Sequence, residues 1–228
     1  MPYLFPPAPI PTLPIIGRSE SFPVRRIFCV GRNYAEHSRE MGGDPEREAP
    51  FFFSKPADAL VQNNCTLPFP QATQNLHFEM ELVLAIGKKG QNIAPSDADD
   101  YLFGYASGID LTRRDLQAEA KEKGRPWDTA KGFDQSAPCS AITERLAIPD
   151  IEQARISLEV NKDLKQDAKL SDMIWSPLEI ICSLSSFYTL MPGDLIYTGT
   201  PAGVSQILPG DMLEGHIEGL PTIAVTFR

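Results

Sequence analysis

No two of the four cysteines, Cys29, Cys65, Cys139 and Cys182, stand close together in the chain, so the paired spacing of a zinc knuckle or a redox motif is absent. They are expected as buried thiols in a reducing compartment. Also absent is any run of about eighteen consecutive apolar residues, which a membrane-crossing helix needs. No basic start followed by an apolar stretch marks a signal peptide. A cytoplasmic protein without a membrane partner is expected. Basic residues are in deficit as well: 21 Lys and Arg against 30 Asp and Glu give a formal charge of −9. With no local basic patch, a phosphate backbone would be repelled, and nucleic acid is not an expected partner. No internal repeat occurs.

What is present suits an ordinary globular chain: 228 residues, 42% of them hydrophobic, enough for one substantial core. Its 21 prolines and 16 glycines are scattered, which disfavours a helix bundle and favours many short strands. Prolines at 2, 6, 7, 9, 11, 14 and 23 make residues 1–24 an extended, proline-rich N-terminal extension, because each fixes φ and removes a donor. The main domain is expected over 25–228. Apolar runs and alternation predict strands over 26–30, 51–53, 77–86, 105–111, 156–160, 195–198, 213–218 and 222–227. Helices are expected over 33–41, 97–101, 112–123, stopped by Gly124-Arg125-Pro126, and 176–188, with Pro177 in its first turn. The charged segment 43–50 reads as a mobile loop beside His37 and Glu40.

Glu79 and Glu81 carry the best chemical signal. Two residues apart in a strand, they project from one face, where two carboxylates repel unless a cation sits between them. The bland alternative is an edge strand with both glutamates in water. Asp110 ends the apolar stretch 105–109, where an unpaired carboxylate would be costly. It is either a third oxygen ligand or the N-cap of the helix that follows. Three carboxylates without cysteine or histidine favour a hard ion: magnesium, manganese or calcium. His37 and Glu40, three apart in a predicted helix, share a face, so the carboxylate could orient the imidazole to activate water. A surface accident is the competing reading. His77 and His216 have no such company.

Six segments, in order, resemble the fumarylacetoacetate hydrolase (FAH) family: Gly31-Arg32-Asn33-Tyr34-Ala35-Glu36-His37, Phe53-Ser54-Lys55-Pro56, His77-Phe78-Glu79-Met80-Glu81, Gly108-Ile109-Asp110-Leu111-Thr112-Arg113-Arg114-Asp115, Ala130-Lys131-Gly132-Phe133-Asp134 and Tyr197-Thr198-Gly199-Thr200-Pro201. The resemblance covers about 25–228, the catalytic domain. It implies a mixed α+β fold, mainly β: an FAH-type β-roll or sandwich with short flanking helices, assembled as a homodimer. It implies a divalent metal, Mg2+ first, on Glu79, Glu81 and Asp110. The water-activating dyad would be His37 and Glu40, with Lys131 as the catalytic cation. Arg32, Arg114, Gln117 and Thr200 would line the substrate pocket, with Arg113 as competitor to Arg114. The implied activity is hydrolysis of the C–C bond of an acylpyruvate, a diketo acid. Fumarylpyruvate, a product of aromatic ring fission, is the first substrate. Oxaloacetate decarboxylation and hydroxy-diene-dioate isomerisation use the same platform. Outside enzymology, a calcium-stabilised acidic binding protein is the alternative.

Overall fold

The computed structural model describes residues 2–40 and 48–228. Along the first half run strands β1 (Thr12–Pro14), β2 (Ser21–Pro23) and β3 (Arg26–Gly31), helix α1 (Ala35–Glu40), then β4 (Phe51–Lys55), β5 (Leu60–Gln62), β6 (Cys65–Leu67), β7 (Leu76–His77), β8 (Met80–Ile86) and β9 (Leu102–Ile109). Next come β10 (Thr112–Arg113), α2 (Arg114–Glu122), α3 (Asp128–Lys131), β11 (Ala137–Cys139) and β12 (Thr143–Glu144). Strands β13 (Arg155–Val160) and β14 (Asp163–Lys169), helix α4 (Pro177–Phe187), and strands β15 (Asp194–Tyr197), β16 (Met212–Ile217) and β17 (Ile223–Phe227) complete the chain. Among the described residues, an eight-stranded sheet has the order β4-β3-β15-β8-β9-β11-β5, with β12 on β9, and a five-stranded sheet the order β14-β13-β16-β17-β6. The architecture is mixed α+β and mostly strands, as expected.

The large sheet is buried on both faces, which explains why β8 is apolar nearly throughout. Its Met80, Leu82, Leu84 and Ile86 join a core with Leu158, Leu213 and Val225 of the second sheet and Ile180, Ile181 and Leu184 of α4. On the opposite face, Val83 and Ala85 of β8 pack with Leu195 and Tyr197 of β15 and with Leu13, Ile15 and Phe22. Those last three belong to the proline-rich extension, where β1 and β2 pair antiparallel as a hairpin. The extension thus roofs one face of the sheet from residue 12 onward. Tyr3, Leu4 and Phe5 before it are exposed.

One predicted element shifts for a local reason. The helix expected from 112 begins at Arg114, because Thr112 and Arg113 first pair with His77 and Leu76. It stops as predicted: Gly124 takes φ 59°, and Arg125 N–H donates to the Ala120 carbonyl at 2.8 Å, a turn that closes the last carbonyls. Helix α4 is capped reciprocally, Ser176 N–H donating to Glu179 at 3.0 Å and Glu179 N–H to the Ser176 hydroxyl at 3.4 Å. The cysteines need a correction: Cys29 and Cys139 are buried, but Cys65 and Cys182 are only half-buried, because each sits at the margin of the core. The loop expected over 43–50 falls largely on 41–47, outside the described residues.

Candidate active site and metal centre

Antiparallel pairing of β8 with β9 brings the carboxylates together. Met80 stands opposite Ile109 and Glu81 opposite Gly108, and one step beyond, Asp110 N–H donates to the Glu79 carbonyl at 2.8 Å. Carboxylate oxygens of Glu79, Glu81 and Asp110 all lie within 4.8 Å of one another. Their exposures are 5%, 2% and 0%, which removes the reading of an edge strand facing water. Asp110 is not a helix cap either; the residue before α2 is Arg113, with no side-chain cap.

Among the described residues, three cations surround the cluster. Lys131 Nζ donates to Glu79 at 2.7 Å, to Asp110 at 2.8 Å and to the Thr112 hydroxyl at 2.7 Å, which uses all three of its N–H groups. Lys55 Nζ lies 2.8 Å from the other Asp110 oxygen and is held by the Leu111 and Lys131 carbonyls. Arg114 donates at 2.6 Å to Glu79 and at 2.6 Å to Gln117 Oε1. Burial alone would raise the Glu79 carboxyl, but Lys131 and Arg114 outweigh it and hold the group well below the usual carboxylate range.

Glu81 differs. It accepts one hydrogen bond, from Gly199 N–H at 2.7 Å, and has no basic ion-pair partner among the described residues. Burial, then the charges of Asp110 and Glu79, push its carboxyl well above the usual range. A buried carboxylate short of positive charge beside two others, all hard oxygen donors, fits a divalent ion. Gly199 is a glycine for two reasons: its φ is 97°, and a Cβ there would lie 2.7 Å from that of Asn33.

A cleft of about 430 Å³ opens over this cluster, lined among others by Arg32, His37, Glu79, Glu81, Arg114, Gln117, Lys121, Lys131 and Thr200. His37 Nδ1 is 3.3 Å from Glu40 Oε2, and Glu40 also accepts the Gly203 N–H. The imidazole is buried and the Glu40 carboxylate half-exposed. Burial lowers the imidazole from its ordinary value of 6.5, with Glu79 and Glu40 only partly opposing. His37 is therefore neutral near pH 7, as a base must be. The amide nitrogen of Gln117 has no hydrogen-bond partner among the described residues, since only its oxygen is engaged. The Thr200 hydroxyl accepts from Gln166 at 2.8 Å.

Of the two adjacent arginines, Arg114 enters the cleft while Arg113 lies over the Phe133 ring at 4.3 Å. His77 is bonded to Asn75 and His216 to Thr222, both away from the cleft lining. Sequence reasoning missed Lys55, Thr112 and the Gly199 N–H. Lys55 had a signal, a lone cation ending the apolar run Phe51-Phe52-Phe53-Ser54; a backbone donor leaves none.

The profile of the family described as "Fumarylacetoacetate (FAA) hydrolase C-terminal" matches residues 26–228. The chain belongs to this family. It is 46% identical over 183 residues to a fumarylpyruvate hydrolase of Ralstonia sp, covering 80% of this chain and 95% of that protein. Over 204 residues it is 42% identical to the mitochondrial oxaloacetate tautomerase of Homo sapiens, covering 90% and 91%. The crystal structure of fumarylpyruvate hydrolase from Pseudomonas aeruginosa, in complex with Mn2+ and pyruvate, superposes with a TM-score of 0.97 at 46% identity, covering 99% of both chains. Similarity of this extent supports an enzyme that hydrolyses a carbon–carbon bond, with a divalent metal in the acidic triad.

Proposed function

We propose that this FAH-family chain hydrolyses the C3–C4 bond of an acylpyruvate, fumarylpyruvate first, giving fumarate and pyruvate with Mg2+ as the working ion. The reading rests on one arrangement: a neutral, buried His37, oriented by Glu40, in the same cleft as three buried carboxylates. An ion held by Glu79, Glu81 and Asp110 would supply positive charge beside the 2-oxo acid end of the substrate and the enolate developing there.

The residues then divide the work. Glu40 fixes the proton on Nδ1 of His37, so Nε2 is the lone pair that takes a proton from water. The hydroxide adds to the C4 carbonyl. The free Gln117 amide donates to the oxyanion that forms, while Lys131, its N–H groups committed to Glu79, Asp110 and Thr112, contributes charge and fixes the two carboxylates. Collapse of the adduct breaks C3–C4; the electron pair goes to C3, which takes back the proton held by His37 to become the methyl of pyruvate, and the acyl half leaves as a carboxylic acid that ionises to the carboxylate.

His37→Ala should lower kcat by about a hundredfold to ten-thousandfold yet leave Mn2+ affinity unchanged, because His37 is outside the triad. Full activity in that variant would sink the dyad. The likeness to an oxaloacetate tautomerase supports a second reading, in which the substrate is oxaloacetate and no water is consumed. Oxaloacetate turnover that survives His37→Ala, without any loss of fumarylpyruvate in the wild type, would favour it.

A further inference from the structure

Strand β14 is polar and mostly exposed, yet Gln166 in its middle is completely buried. The strand pairing explains how an outer strand sends a side chain inward. Against β13, one register runs from Arg155 opposite Lys169 to Leu158 opposite Gln166, and another begins with Glu159 opposite Leu164. Lys165 is therefore an extra residue, a bulge immediately before Gln166, and a bulge re-aims the side chain beside it. The same bulge sets the Lys165 carbonyl against Gly203, where a Cβ would collide with it. Gly203 has φ 98°, and its N–H donates to Glu40 at 3.3 Å. The pair Lys165-Gln166 thus meets the segment 200–203 at both ends, the segment that reaches Thr200 on one side and the His37–Glu40 dyad on the other.

A primary amide can face its neighbours in two ways, and here they choose one. Met80 N–H can only donate, so the atom 3.0 Å from it is Oε1 of Gln166. Nε2 is then turned to the Thr200 hydroxyl and the Pro201 carbonyl, each at 2.8 Å. That carbonyl can only accept, so the same orientation is fixed twice.

The consequence falls on Thr200. Its hydroxyl receives a proton from Gln166 and cannot return its own to that amide. No other partner holds the hydroxyl among the described residues. Thr200 lines the cleft and is only 2% exposed, so the cleft is where its O–H finds an acceptor.

We propose that Gln166 is a positioning residue for catalysis: it holds the Thr200 hydroxyl as a donor toward an anionic oxygen of the ligand bound over Glu79, Glu81 and Asp110. This rests on the substrate's carboxylate and keto oxygens lying in that cleft, as the hydrolase reading has it. A hydroxyl whose direction is set beforehand meets an acceptor without reorganising when the ligand arrives. The setting comes from an outer strand of the second sheet, through a side chain that never touches the ligand.

The test is a double-mutant cycle between 166 and 200, read by binding so that it does not depend on turnover. Oxalate, a dianion with acceptor oxygens only, is titrated by calorimetry into the Mn2+-loaded protein, and melting point and Mn2+ affinity are measured for each variant. Gln166→Met, which removes both donors, should weaken oxalate about tenfold or more. In a Thr200→Val background the same change should cost nothing further, whereas in Thr200→Ser, which restores the hydroxyl, the loss should return. Gln166→Glu is the second variant should the first not fold: it keeps the length and an oxygen for Met80 N–H but has at most one proton to give where the amide has two. Its loss should likewise require a hydroxyl at 200. A loss of the same size with or without that hydroxyl makes Gln166 a structural tie between the sheets and overturns the proposal, as does oxalate binding that neither variant changes. Coupling in a protein whose wild type never cleaves fumarylpyruvate would keep the positioning role and sink the hydrolase reading. Cleavage of fumarylpyruvate without coupling would do the reverse.

Discussion

Replacing Glu81 by Gln keeps an oxygen for the Gly199 N–H but removes a buried carboxylate that makes no ion pair with a basic side chain among the described residues and that Lys131 offsets only in part. Without metal, the substitution relieves repulsion from Asp110 and Glu79, so the metal-free variant should melt no lower than wild type. With metal it loses a ligand. Its Mn2+ affinity should fall by more than the 10- to 100-fold, roughly, that loss of a supporting residue costs. A metal-free melting point well below wild type, with affinity unchanged, would show that Glu81 is structural. His37 allows a pH prediction at the same scale. Its imidazole is lowered from 6.5, chiefly by burial, and the base is active when neutral. The acid limb of kcat/KM should therefore lie below pH 6.5, with activity falling as pH drops through the depressed value. A limb above pH 6.5 in a profile that His37→Ala does not alter would contradict the assignment.

At the scale of elements, the extension that reads as a proline-rich lead-in is a short hairpin whose Leu13 is completely buried. Leu13→Ala should cost about 2–5 kcal/mol in denaturant unfolding; a loss under about 1 kcal/mol would mean that the hairpin is not part of the core. Three-residue strands that each end in a proline leave no periodicity, so pairing with Pro23, Phe22 and Ser21 could not be read from composition. Strand β14 was missed for the opposite reason. Its sequence Asp163-Leu164-Lys165-Gln166-Asp167-Ala168-Lys169 is polar because it is the edge strand of its sheet, with Gln166 turned inward. That glutamine accepts Met80 N–H at 3.0 Å and donates to Thr200, joining the second sheet to the site. By contrast β3, β15, β16, β17 and α4 were legible, since caps, turns and β-branched runs act within a few residues. The carboxylate spacing at 79 and 81 was legible too. What separated it from an exposed pair was burial, which depends on a hairpin and a second sheet far away in the chain.

For the molecule as a whole, the site has no local nucleus. Lys131 reaches Glu79 across 52 positions and Gly199 reaches Glu81 across 118, so the triad assembles only when the two sheets and the helices have closed. Metal binding should therefore be linked to global unfolding: at about 100 times its Kd, an ion should add roughly 2.7 kcal/mol, and chelation should remove that increment in one cooperative transition. The most direct test of the account follows the ultraviolet absorbance of fumarylpyruvate with Mg2+, after chelation, and after Mg2+ is restored, with fumarate and pyruvate quantified as products. Loss of substrate should stop on chelation, resume on restoration, and yield the two acids in equal amounts. Turnover that ignores the chelator, or the absence of either acid, would contradict it.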